Sequence, residues 1–355
     1  MKLEKPRDIS LPTGVLGLSA SPNRARLYAA CMDGQLYEVD PASGESVAFM
    51  GKHASFASGS VALPDGATVI SAGYDGRLLW HDTATKRPFR RLKAHDFWSW
   101  QIALSPDGRQ VASVSGQYLA GGEKYEPAPA SEATVKIYDT ASGDLVREFT
   151  HLPPVLSVAF SPDGKSLAAA NMMGEVRVWE IAEGKEVAQF TSPDFTSWGI
   201  IKSPHYCGGI YGLVFAPDGA SLLCCGMGPM GDPMAGNGKM TWQRWGWSES
   251  PPRMIEQIHD GEHGTGLMEA IAHSPADRAF LMAGRQAQGT WTAALFSSED
   301  GKLISSLDTK SRVTRALYSA DGRTLYLAAT VGQPARDKAG NWPSYGRIHI
   351  VPVTA

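Results

Sequence analysis

One short turn signature recurs along this chain, and its spacing constrains the fold more than any other feature. It reads "SPNR" at Ser21, "LPDG" at Leu63, "SPDG" at Ser105 and Ser161, "APDG" at Ala216, "SPAD" at Ser274 and "SADG" at Ser319. Proline presets φ for a type I turn, Asp accepts a hydrogen bond from the backbone two residues on, and Gly supplies the positive φ that ends it. Each copy therefore marks a hairpin. Around each copy the residues alternate and are rich in β-branched types, as in "VLSVAFSPDGKSLAAANMMGEVRVWEIAEGKEVAQF". Strands are expected before the turn, after it, and over "EVRVWEI" and "EVAQF". A four-stranded unit cannot bury both of its faces alone. Neighbouring units must stack face to face, and seven of them arranged radially make an all-β fold, a seven-bladed β-propeller of antiparallel blades.

These residues resemble the WD40-repeat family, with degenerate repeats, over essentially the whole chain. In "THLPPVLSVAFSPDGKSLAAA…VRVWE", His151 stands at the family's Gly-His position and Trp179-Glu180 at its Trp-Asp position. His53 and His95 match the histidine position, and Ser71 and Asp75 match the serine and the turn aspartate. Val39, His81, Tyr138 and Phe296 replace the Trp, so the family's His-Ser-Asp-Trp network is expected to be incomplete in every blade. The resemblance implies one domain over 1–355, with blades at about 13–50, 51–92, 93–150, 151–191, 192–258, 259–308 and 309–355. The last blade stops three strands in, and the segment 6–12, which contains "RDISLP", is expected to complete it and close the ring.

Charge and composition narrow the function classes. The formal net charge is -3 and no run of like charges appears, so neither nucleic acid nor an anionic membrane is an expected partner. No apolar stretch is long enough to span a bilayer, and "MKLEKPRDIS" is charged where a signal peptide would be apolar. Cys31, Cys207, Cys224 and Cys225 show no disulfide spacing. A cytoplasmic chain is the expectation.

Long insertions cluster between second and third strands and at blade crossings, which the resemblance places on one face: "SGQYLAGGEKYEPAPASEA", "TSPDFTSWGIIKSPHYCGG", "TVGQPARDKAGNWPSYG" and the stretch "CCGMGPMGDPMAGNGKM". Aromatic residues gather there, and such residues are typical interface anchors. The candidate partner-binding set is Trp98, Trp100, Tyr118, Tyr125, Trp198, Tyr206, Tyr211, Glu269, Trp342 and Tyr345. Trp100, Leu156, Tyr211, Glu269 and Thr314 occupy matching positions near the start of the first strands.

Chemical motifs are sparse. Gly226, Gly228 and Gly231 fit G-x-G-x-x-G, but no helix can follow through "GDPMAGNGKM", so a nucleotide loop is rejected. A soft-metal site would draw on His205, Cys207, Met227, Met230, His259 and His263, although the spacing matches no established ligand motif. Methionine also fills gaps in cores, and adjacent cysteines point to opposite strand faces. Catalysis has no motif to rest on, and no cofactor is expected. The primary expectation is a non-catalytic scaffold or complex subunit that binds a protein through its loop-rich face. The alternative is an enzyme or small-ligand binder with a cleft lined by Trp198, His205, Tyr206, His259 and His263.

Overall fold

In the computed structural model, residues 1–119, 126–127, 131–195, 208–229, 238–276, 278–332, 338–340 and 343–354 are described, with backbone only at 118–119 and 126–127. Apart from one 3-10 turn at Pro193–Phe195, every regular element among them is a β-strand. The chain divides into two compact units: 1–91 with 272–285 and 290–355, and 92–271 with 286–289.

In the first unit, Val15–Ala20, Leu27–Cys31, Leu36–Val39 and Ser46–Ala48 form one antiparallel sheet in sequence order. The next sheet starts with Ala57–Ala62, Thr68–Gly73 and Arg77–Asp82 and is bordered by Arg87–Lys93, whose last two residues fall in the other unit. Ala279–Gln288, whose last three residues fall in the other unit, pairs through Ala279–Ala283 with Ala293–Ser297, which pairs with Leu303–Leu307. Arg312–Tyr318, Thr324–Thr330 and Gly346–Thr354 make the last sheet. Its fourth strand is Arg7–Leu11, running antiparallel with Arg7 opposite Ile350 and Leu11 opposite Gly346. The N-terminal segment thus takes the place expected from "RDISLP".

In the second unit, Gln101–Leu104, Gln110–Val114, Val135–Asp139 and Leu145–Phe149 form one sheet. Val155–Phe160, Ser166–Asn171, Glu175–Glu180 and Lys185–Thr191 form the next, followed by Ile210–Phe215, Leu222–Met227, Gly238–Gly246 and Arg253–Gln257. Pairing of Tyr118–Leu119 with Glu126–Pro127 adds a small hairpin within the insertion of the first of these sheets.

The recurring turn works as its residues require. The Ser105 hydroxyl donates to Asp107 Oδ1 at 2.6 Å and accepts from the Gln110 amide at 2.9 Å, while Gly108 takes φ +74°. The same pair of bonds recurs at Ser161 with Asp163 and at Ser319 with Asp321. Hydrogen bonds from the serine hydroxyl, and then from the amide two residues on, hold each of these carboxyls below the usual carboxylate range. In "SPNR", Arg24 adopts φ +57° where five of the other six copies have glycine.

Core clusters lie between neighbouring sheets, as stacked units demand. Ile9, Leu11, Tyr326, Ala328 and Ile348 of the last sheet pack on Val15, Leu27, Ala29 and Val39 of the first. In the second unit, Val135, Ile137 and Phe149 pack on Val155, Leu167 and Trp179, and Val176, Val178 and Phe190 pack on Ile210, Phe215, Leu222 and Trp245. Two aromatic stacks reinforce these seams: Phe149 on Trp179 at 4.9 Å and Phe190 on Trp245 at 4.4 Å.

Candidate functional site

The first strands share a device that strand alternation does not reveal. Counting back five residues from each turn copy reaches Leu16, Ser58, Trp100, Leu156, Tyr211, Glu269 and Thr314. The register shifts by one residue at Val15/Gly17, Ala57/Gly59, Val155/Ser157, Ile210/Gly212 and Val313/Arg315, so Leu16, Ser58, Leu156, Tyr211 and Thr314 are β-bulge residues. Trp100 donates its amide to the Val114 carbonyl, opposite Gln101, the same two-against-one arrangement. A bulge re-aims the side chain it carries. The residue after it is often small: a Cβ on Gly17 would sit 2.5 Å from Gly59 Cα, and one on Gly212 would sit 2.6 Å from Cys225 Sγ.

In the second unit, three of these positions lie on successive first strands that are stitched together. The Val158 amide donates to Gln101 Oε1 at 2.7 Å, and the Ser157 hydroxyl donates to the Ile210 carbonyl at 3.0 Å. Leading into the first of them is "DFWSW", Asp96–Trp100. Phe97 stacks on Trp98 at 4.9 Å, and Trp98 meets Trp100 edge-on at 5.1 Å. The Trp100 indole N–H is anchored on the Gly116 carbonyl at 2.9 Å. Trp98 is 37 % exposed, a large aromatic surface held in place by its neighbours. Tyr211, half-buried, packs on Met227 and Leu267.

The other candidates divide plainly. Leu156 and Glu269 are buried. Thr314, in the first unit, is buried and donates its hydroxyl to the Val15 carbonyl at 2.6 Å, which makes it a seam between strands. Tyr345, half-buried in the first unit, lies beside Gly14. Tyr118 is described by backbone alone; Tyr125, Trp198, Tyr206 and Trp342 lie outside the described residues, as do His205, Cys207 and Met230. Of the remaining soft-metal candidates, Met227 is buried against Tyr211 and Leu267, whereas His259 sits 3.7 Å from Glu256 and is 38 % exposed. His263 is half-buried on the loop carrying Gly261 at φ +87°. Among the described residues no group of three His, Cys, Asp or Glu side chains is placed to hold a metal ion.

The stretch from Cys224 to Met240 is strand at both ends, with Met227 opposite Met240. Both cysteines are core residues, and burial pushes the Cys224 thiol up. A Cβ on Gly226 would lie 2.0 Å from the Gly209 carbonyl oxygen, and one on Gly228 2.0 Å from Thr241 Oγ1. Close approach of backbone explains these glycines.

Buried histidines carry structural networks. His53 bonds Asp75 through Nδ1 and Ser71 through Nε2, both at 2.9 Å, and Ser71 bonds His81 Nε2 at 2.9 Å. The network expected to be incomplete is closed in this sheet by His81 standing in for Trp, because an imidazole nitrogen reaches the hydroxyl as an indole nitrogen would. Burial raises the Asp75 carboxyl, but the His53 hydrogen bond and charge, with the Ala54 and Arg77 amides, outweigh it and hold the group at about 2. His95 bonds Ser113 at 3.0 Å, and Ser113 bonds Ser99. A further network had no signal in the repeat pattern: Asp8 Oδ1 to His349 Nδ1 at 2.7 Å, His349 Nε2 to Ser311 at 2.8 Å, and Ser311 to Thr309 at 2.7 Å. It ties the N-terminal strand to the last sheet.

Comparison with known proteins gives a consistent picture. A family model for the WD domain, G-beta repeat, matches residues 143–180, from the outer strand of one sheet through the third strand of the next. The chain is 27% identical over 150 residues to the WD repeat-containing protein SL1-17 of Schistosoma mansoni, covering 34% of this chain and 50% of that one. It is 22% identical over 276 residues to the Periodic tryptophan protein 2 homolog of Dictyostelium discoideum, covering 77% and 25%. Protein groucho of Drosophila melanogaster matches at 29% over 150 residues, 41% and 18%. The chain thus spans half or less of the length of these relatives. Among the described residues no helix is long and apolar enough to cross a membrane.

Proposed function

We propose that this chain, a WD40-repeat protein, folds its seven repeats into a single seven-bladed propeller over 1–355 and acts without catalysis as a scaffold or complex subunit that holds a protein partner. The observation that carries this reading is the Phe97–Trp98–Trp100 cluster. Three aromatic rings support one another at the start of a first strand, and the outermost is exposed. Rigid aromatic groups of this kind lose little entropy on binding and dominate interface energetics. On this reading the half-buried bulge residue Tyr211, two first strands further on, belongs to the same surface. The likeness to WD-repeat proteins supports the class of function and leaves the partner's identity to experiment. Four of the described histidines, His53, His81, His95 and His349, are bonded into buried networks, which supports a structural role for them.

Affinity capture from the native host tests the proposal. Trp98→Ala removes an exposed ring and should leave the thermal midpoint within a degree or two. It is expected to weaken partner retention by about 30-fold or more, the size of an interface hot spot. Retention of every partner by Trp98→Ala, and by a variant lacking residues 230–237, would overturn the choice of surface.

A further inference from the structure

The second sheet is bordered by Arg87–Lys93, with no strand beyond it among the described residues. Lys86, Arg87, Arg90 and Arg91 supply four positive charges in six residues, interrupted in sequence by Pro88 and Phe89. The interruption hides the concentration of charge from a scan for runs; the strand restores it. Exposure alternates along Arg87–Arg91, with Arg87, Phe89 and Arg91 on the open side, and Phe89 is 58 % exposed. Arg90 lies 5.4 Å over the Trp80 ring and 5.9 Å over that of Phe89. Lys86 is occupied by Glu38 at 2.6 Å, whereas among the described residues neither Arg87 nor Arg91 enters an ion pair.

Charges on an edge strand can serve merely to repel other strands. The rest of the molecule argues against that as the whole explanation. Among the described residues the other outermost strands are Arg7–Leu11 (RDISL), Ser46–Ala48 (SVA), Leu145–Phe149 (LVREF), Lys185–Thr191 (KEVAQFT), Arg253–Gln257 (RMIEQ) and Leu303–Leu307 (LISSL), with the two-residue Lys2–Leu3 (KL) beside Val353 and Thr354. Each of the longer ones has equal numbers of basic and acidic residues, or none of either, and the Lys2 charge is met by Glu4 at 3.1 Å. A general need to guard edges would have charged them too. Among the described residues one edge alone is strongly basic, in a chain whose net charge is negative.

We propose that this edge accepts an extended acidic segment of a partner protein as an added strand. The argument is one of matched period. A strand added to a sheet repeats every two residues in step with the strand it joins, so side chains on one face meet in pairs. Arg87, Phe89 and Arg91 would then face acidic, apolar and acidic residues at alternate positions. The segment recognised has the pattern acidic-x-apolar-x-acidic. Nucleic acid and anionic lipid share the charge but have no reason to match the period or the apolar position between the arginines.

The test uses the full chain and fluorescence anisotropy with a labelled nine-residue peptide containing Glu-x-Ile-x-Glu. Expected results are saturable binding that weakens with salt, and a loss of about tenfold or more for R87E/R91E. Comparable losses are expected when one glutamate moves by a single position at constant composition, and when alternate amides are N-methylated. A peptide with lysines in place of the glutamates should bind R87E/R91E better than it binds the unaltered chain. Both arginines are exposed, so R87E/R91E should unfold at the same temperature as the parent; the lysine peptide's binding shows the edge intact even if it does not. Equal binding of the shifted or N-methylated peptides would overturn the proposal. So would tighter binding of oligouridylate or of vesicles containing one fifth phosphatidylserine, or self-association of the chain that R87E/R91E abolishes. Trp98→Ala should leave peptide binding unchanged, which separates failure of this edge from failure of the aromatic surface.

Discussion

Lowering the pH from 7 to 5 is expected to remove about 6 kcal/mol of folding stability, through three buried histidines. Burial depresses His81 to about 3, with the charges of His53 and Arg91 adding to the effect. Burial and then the Lys136 charge take His95 to about 3, and burial takes His151 to about 4, Arg177 reinforcing it and Glu175 opposing it. Each of these groups therefore stays neutral in the fold while its unfolded counterpart titrates near 6.5. The unfolded chain binds more protons, so stability is complete above about pH 6.5 and declines as pH falls toward the folded values. Between about 6.5 and 5, each histidine costs ~2 kcal/mol at 1.36 kcal/mol per pH unit. Asp75, held at about 2, has the opposite behaviour. Its contribution is present above the unfolded aspartate value near 4 and is lost only below it, so it does not contribute to the slope in this window. Since whole domains are stable by roughly 5–15 kcal/mol, the protein should be marginal at pH 5. Urea midpoints at pH 7, 6 and 5 provide the check. His81→Trp, which puts an indole donor in place of the imidazole that bonds the Ser71 hydroxyl, should reduce the slope by about one third. A flat profile from pH 7 to 5 would mean that these imidazoles are not kept neutral.

Removal of residues 1–11 is expected to cost about 5–13 kcal/mol, enough to unfold most of the population. Ile9 and Leu11 are 3 % and 1 % exposed in the cluster between the last sheet and the first. Buried aliphatic side chains of this kind cost ~2–5 kcal/mol each when truncated. Loss of Asp8 leaves His349, itself buried, without its Nδ1 partner, for a further ~1–3 kcal/mol. The truncation also uncovers Gly346–Thr354 as an open edge, so the product should aggregate as well as unfold. Asp8→Ala alone should cost only the last contribution, and Ile9→Ala an intermediate amount. Denaturant titration with light scattering measures all three; an unchanged midpoint for the truncated chain would contradict this account of the N-terminal strand.

The sequence carried the turns and the strands between them because each rests on local chemistry. Proline, aspartate and glycine in "SPDG" specify a hairpin without reference to anything distant, and the structure shows Ser105 and Asp107 bonded accordingly. The N-terminal strand was legible by subtraction, from a last repeat that lacked a strand. The His349 network was not, because its aspartate lies 341 residues away in sequence and its histidine stands on a third strand, away from the position where repeats carry one. The bulges at Leu156 and Tyr211 were partly legible, through the matching offset from each turn and the small residues Ser157 and Gly212 that follow. Phe97 was passed over although "DFWSW" displays it, since its importance comes from stacking on Trp98. The basic edge was missed because alternation on a strand, unlike a run in sequence, gathers charge across intervening residues.

The central claim is that the chain works by holding a partner on the surface carrying the Phe97–Trp98–Trp100 cluster and the neighbouring bulge residues. Amide hydrogen exchange of the captured complex, compared with the free chain, tests it most directly. The account predicts slower exchange over residues 96–101 and 208–213, with the turn segments 105–109 and 161–165 unchanged. Protection confined to those turn segments, with 96–101 exchanging as in the free chain, would contradict it.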